Sequence, residues 1–140
     1  MNIQSKATTT VLIAEDELPI ADVLAAVVED AGFRAVAARN GREALEIART
    51  QRPALVIADV MMPYLTGVEL VEALRADAVA HGEAVIPVIL MTAASFARAR
   101  AAGADAVLRK PFNLADIDAL LQRFLGKEIT LEEGAEIADH

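Results

Sequence analysis

Four short stretches hold the residues that could do chemistry. They are Glu15-Asp16 in "IAEDE", Asp59 in "LVIADVMMP", Thr92 in "LMTA" and Lys110 in "LRKPF". An acid placed at the end of an apolar run is expensive to bury unless something beside it uses its charge. Carboxylates brought close together repel and raise one another's pKa. A hard divalent cation resolves that conflict, and Mg2+ in particular takes carboxylate oxygens, a carbonyl and waters. A carboxylate flanked by Mg2+, an ammonium and a hydroxyl can accept a phosphoryl group, because that transfer needs positioning and charge neutralisation more than acid–base work. If the fold gathers these residues, Asp59 is the nucleophile. Glu15, Asp16 and Asp59 then form the metal cluster, and Thr92 and Lys110 meet the phosphoryl oxygens.

The elements that must position them are legible from periodicity. Five apolar runs, "TVLIA" (10–14), "RAVAA" (34–38), "ALVIA" (54–58), "PVILM" (87–91) and "DAVLR" (105–109), read as strands covered on both faces. Between them Ile20, Val23, Leu24, Val27 and Val28 recur at helical spacing until Gly32. Asn40-Gly41 opens a second helix with Ala44, Leu45 and Ala48. Val68, Leu70, Val71 and Leu74 mark a third. Residues 95–102 give about two turns, and Asn113 caps a last helix carrying Leu114, Ile117, Leu121 and Phe124. This alternation is an α/β doubly wound (βα)5 pattern with a parallel sheet. Ligands bind such sheets at the carboxyl ends of the strands, and each candidate residue stands at or just past one of those ends.

Composition narrows the function classes. The chain has 140 residues, enough for one domain with a proper core. It divides into an extension at 1–9, a globular domain at 10–125 and an acidic tail at 126–140. There is no cysteine, and the two histidines, His81 and His140, are far apart. A histidine zinc site or a Ser-His-Asp triad is poorly supported. A net charge of −8 argues against nucleic-acid binding. No apolar run is long enough to span a membrane, and no signal core opens the chain, so a cytoplasmic location without membrane insertion is expected.

At these residues the chain resembles the receiver domain of two-component response regulators, of the stand-alone, chemotaxis-regulator-like type. The pieces that match are "ED" after the first strand, "DVMMP…TG" after the third, "MTA" after the fourth and "KPF" after the fifth. The resemblance implies a flavodoxin-like sheet of order 2-1-3-4-5. It implies that Asp59 is the phosphoacceptor and that Glu15 and Asp16 organise Mg2+. Met61 matches the position whose main-chain carbonyl also binds the metal, and Thr92 and Lys110 match the pair that contacts the phosphoryl group. The implied donor is a histidine kinase or histidine phosphotransfer protein. The output would be a change of protein partner, in a monomer or a phosphorylation-dependent dimer. Apart from its own phosphorylation and dephosphorylation, no enzyme activity is expected.

Three departures stand out. Glu15 stands where Asp is commoner. The Thr92–Lys110 segment is short. Val107 occupies the position where many members carry an aromatic switch residue. A β-branched Val cannot swing as a ring does, so the response is expected in residues 92–103, around Phe96. Two other readings compete: a receiver-shaped binding module that is never phosphorylated, and a small phosphatase with an Asp nucleophile. The phosphatase pattern wants an acid two residues after the nucleophile, where this chain has Met61. The bland alternatives are that Glu15 and Asp16 cap the first helix, that Thr92 caps the fourth, and that His81 lies in an exposed loop. Met61 and Met62 would serve as packing or loop cover.

Overall fold

The computed structural model describes residues 9–93 and 96–126. Of the extension read from the sequence at 1–9 and the tail at 126–140, residues 1–8 and 127–140 lie outside the described residues. Five strands alternate with five helices: β1 (Thr10–Ala14), α1 (Leu18–Asp30), β2 (Arg34–Ala38), α2 (Gly41–Gln51), β3 (Leu55–Asp59), α3 (Gly67–His81), β4 (Val88–Thr92), α4 (Phe96–Ala101), β5 (Ala106–Arg109) and α5 (Leu114–Leu125). All neighbouring strands pair parallel, in the order β2-β1-β3-β4-β5. This is the flavodoxin-like sheet that the alternating pattern and the resemblance led us to expect.

The central strands β1, β3 and β4 bury both faces, whereas the edge strands β2 and β5, expected from their apolar runs to be covered as well, are only partly buried because each has a neighbour on one side alone. Along β1, Leu12 and Ala14 face one core, while Val11 and Ile13 face the other. The first core adds Ala44 and Ala48 of α2, Leu70 and Leu74 of α3, and Ala99 of α4. The second adds Leu24 and Val28 of α1 and Ile117 and Leu121 of α5. Helices therefore cover both faces of the sheet, and the carboxyl ends of all five strands open on the same edge.

Local signals start and stop the helices. Asn40 and Asn113 cap α2 and α5 by accepting the amides of Glu43 at 2.8 Å and Asp116 at 2.9 Å. Thr66 and Glu69 form a reciprocal capping box at the start of α3. α3 ends at Gly82, whose φ of 63° is left-handed. His81 is thus the last helical residue rather than a loop residue, and its Nδ1 lies 2.9 Å from the Asp77 carbonyl. The strands β3 and β4 run one residue later than the apolar runs alone indicate. Asp59 pairs with Met91 across the ladder, and Thr92 with Arg109, so two of the candidate site residues belong to the strands themselves.

Candidate functional site

The parallel register sets the site. Just past β1, the Glu15 amide donates to the Ala38 carbonyl at 3.1 Å and extends the ladder. The Val60 amide does the same to Met91 at 2.9 Å, and that of Lys110 to Thr92 at 2.8 Å. Glu15, Asp59, Thr92 and Lys110 are thereby carried on backbone held by sheet hydrogen bonds, although up to 95 positions separate them in sequence.

Lys110 is the centre of the arrangement. Its Nζ donates to Asp59 Oδ2 at 2.8 Å and to Glu15 Oε1 at 3.1 Å. The other Asp59 oxygen accepts the Met61 amide at 3.2 Å, and the other Glu15 oxygen accepts the Glu17 amide at 3.1 Å. Glu15 is fully buried, Asp59 is 8% exposed and Thr92 is 4% exposed. Asp16 is exposed at the mouth. Oxygens of Glu15, Asp16 and Asp59 all lie within 4.8 Å of one another. Such a set of carboxylates, two of them buried, suits a hard divalent cation.

The electrostatics follow from burial. Loss of solvent pushes the Glu15 carboxyl above the usual range, against the pull of the Glu17 amide and Lys110; the nearby Asp59 charge adds to the rise. Burial alone would lower Lys110, but its bonds to Asp59 and Glu15 outweigh that and hold the ammonium above its ordinary value. The lysine is therefore charged at neutral pH.

The tight approach of α3 to β3 depends on Gly67. Its amide donates to the Val60 carbonyl at 2.9 Å, and a Cβ there would sit 2.5 Å from the Asp59 carbonyl oxygen. The glycine seen in the "TG" of the sequence thus leaves room for the backbone of Asp59. The bland assignments fall away in part. Glu15 accepts the amide of Glu17, the N-cap of α1, rather than one inside the helix, and Glu17 itself makes no side-chain cap bond. α4 begins at Phe96, four residues beyond Thr92. Met62 is buried in the core, whereas the Met61 side chain is 72% exposed at the rim of the cavity.

Sequence reasoning missed two features. One is the Met61 amide, whose bond to Asp59 is a matter of loop geometry. The other is Arg98 of α4, which lines the same cavity as Asp59, Thr92 and Lys110, of about 370 Å3. A helix of six residues is too short for periodicity to say which way Arg98 faces. The Phe96 side chain lies outside the described residues.

Comparison with known proteins gives a consistent result. Residues 11–122 match the response regulator receiver domain family. The transcriptional regulatory protein PdtaR of Mycobacterium tuberculosis is 39% identical over 133 residues, covering 89% of this chain and 61% of its own length. The chain spans roughly half to three fifths of the first curated relatives it matches. Among solved structures, the chemotaxis protein CheY4 of Vibrio cholerae is 33% identical with a TM-score of 0.74, over 85% of this chain and all of that one. The receiver domain of the sensor histidine kinase PA1611 of Pseudomonas aeruginosa, with a magnesium ion coordinated in its active-site cleft, is 28% identical with a TM-score of 0.74, over 86% of this chain and 99% of that one.

Proposed function

Because this chain belongs to the response regulator receiver domain family, we propose that Asp59 accepts a phosphoryl group from a phosphohistidine of a histidine kinase or histidine phosphotransfer protein. The observation that carries this reading is the 2.8 Å bond from Lys110 Nζ to a nearly buried Asp59 carboxylate, in the cavity that Thr92 also lines. In the transfer, a carboxylate oxygen of Asp59 forms a bond to phosphorus as the phosphorus–nitrogen bond of the donor breaks. The imidazole leaves with the electron pair and takes a proton from solvent. The product is an acyl phosphate, which water cleaves to restore the aspartate.

Each residue of the chain has a part. The Met61 amide and Lys110 hold the two Asp59 oxygens, so the nucleophile is oriented before the donor arrives. Lys110 and the Thr92 hydroxyl bond the transferred oxygens and offset their charge. Glu15, Asp16, Asp59 and the Met61 main-chain carbonyl would hold Mg2+, which supplies positive charge to the phosphoryl oxygens when bound. The donor set supports that assignment, and so does the magnesium ion of the PA1611 receiver. Burial supports it as well, since a raised Glu15 pKa is the strain that a cation relieves.

The output is a change of protein partner rather than turnover of a small molecule. A cytoplasmic location fits a chain without cysteine, among whose described residues no helix is long and apolar enough to cross a membrane. The acidic charge disfavours direct contact with nucleic acid. Incubation with Mg2+ and acetyl phosphate should add one phosphoryl group by intact mass, and hydroxylamine should remove it. Asp59→Asn should abolish the label; labelling that persists in that variant would overturn the assignment.

A further inference from the structure

We propose that Arg98 of α4 is a second cationic ligand of the phosphoryl group and ties α4 to the phosphorylation state of the site; this rests on Asp59 being the phosphoacceptor. Arg98 lines the cavity together with Asp59, Met61, Thr92, Ala93 and Lys110. Other arginines are already engaged: Arg49 with Asp77, Arg52 with Glu83, Arg75 with the Gly103 carbonyl and Arg42 with the Tyr64 ring. The Arg98 side chain makes no ion pair among the described residues, yet it stands where negative charge is about to increase.

Charge accounting shows the need for such a group. The cluster sets the three carboxylates of Glu15, Asp16 and Asp59 against one ammonium. A divalent cation brings that sum to neutrality. Phosphorylation then takes Asp59 from one negative charge to about two, and one positive charge is again lacking. A guanidinium supplies it and matches the geometry of phosphate oxygens better than an ammonium does.

The helix that carries Arg98 is suited to respond. α4 has six residues, shorter than a helix that is stable on its own. Among its described side chains only Ala99 is buried, which anchors it weakly. Its far end is held by the bond from Arg75 to the Gly103 carbonyl. A bond from Arg98 to the phosphoryl group would fix the near part of the helix, and so order the surface that α4 forms beside β5. Val107, half-buried against the same core, has no ring to move. The arginine thus provides a route out of the site that needs no aromatic residue.

The test uses the full chain, Asp59→Asn, Arg98→Ala, Arg98→Gln and Arg98→Lys. Acetyl phosphate with Mg2+ is the donor: its phosphorus–oxygen bond breaks, the Asp59 oxygen bonds to phosphorus, and acetate leaves. Beryllium fluoride, which occupies a carboxylate as a phosphoryl mimic, is titrated in parallel. Amide hydrogen exchange is followed over 96–101. The unsubstituted chain should gain protection in α4 on phosphorylation. Arg98→Ala and Arg98→Gln should still take one phosphoryl group but lose that gain. Their half-saturating beryllium fluoride should rise about tenfold, as expected for a lost charge-assisted bond. Arg98→Lys should fall between. If the chain is labelled on Asp59 while Arg98→Ala and Arg98→Gln keep full α4 protection and unchanged half-saturation, the role of Arg98 is overturned and that of Asp59 stands. If the unsubstituted chain takes no label, or Asp59→Asn is labelled equally, both are overturned.

Discussion

Replacing Lys110 with methionine keeps most of the stem and removes the ammonium that bonds both buried acids. Its Nζ lies 2.8 Å from Asp59 and 3.1 Å from Glu15. Breaking a fully buried pair by removing one partner costs about 3–5 kcal/mol. Here the lysine side chain is 17% exposed and the cavity opens to water, so about 2 kcal/mol is expected at pH 7 without divalent cations. For a domain of this size that lowers the melting temperature by about 8 °C. Two conditions should shrink the deficit. Mg2+ should restore a counter-charge to the acids. Acid should also restore stability, and the sign follows from Glu15. Its folded pKa lies above its unfolded one, so folding takes up a proton in the interval between them. Stability therefore falls as pH rises through that interval and recovers as pH falls. Lys110→Met depends on this more than the unsubstituted chain, because its Glu15 has lost the ammonium that favours ionisation. Thermal melts of both proteins at pH 5 and pH 7, with and without Mg2+, provide the measurement. Equal melting at pH 7 without Mg2+, or a deficit unchanged by acid and by Mg2+, would refute the electrostatic account of the site.

At the alkaline end, the pairing energy of Lys110 should be fully present below the ordinary lysine pKa and disappear as pH climbs through its raised value, so base-induced unfolding curves of the chain and Lys110→Met should converge there. Asp16→Ala should remove most of the Mg2+-induced rise in melting temperature while leaving the metal-free protein no less stable, because a repelling carboxylate is gone. Gly67→Ala should destabilise by about 1–3 kcal/mol in denaturant titration and slow labelling of Asp59, since the new Cβ would press on the Asp59 carbonyl and on Leu90. Thr66→Ala should cost about 1 kcal/mol through loss of the α3 capping box, with the labelling of Asp59 retained.

Much of this protein is written locally. Apolar runs of five residues alternate with helical spacing, and that alone specifies a parallel sheet with helices on both faces, because the central strands must bury two sides. Asn40 and Asn113 announce helix starts through oxygens that accept amides three residues on. Strand ends and acid-rich loops coincide, so Glu15, Asp16, Asp59, Thr92 and Lys110 were all legible as one candidate site. Tertiary structure decided what these residues do to one another. Lys110 meets Asp59 across 51 positions and Glu15 across 95, and no local pattern encodes which acid is buried and which faces water. Glu15 and Asp16 are adjacent and chemically alike, yet one is sealed inside and the other exposed. The orientation of Arg98 and the clearance at Gly67 are likewise set by how α4 and α3 settle on the sheet. Side-chain periodicity fixes which face of an element is apolar, but distances between charges depend on the register of β1, β3, β4 and β5, and that exists only once the sheet has formed.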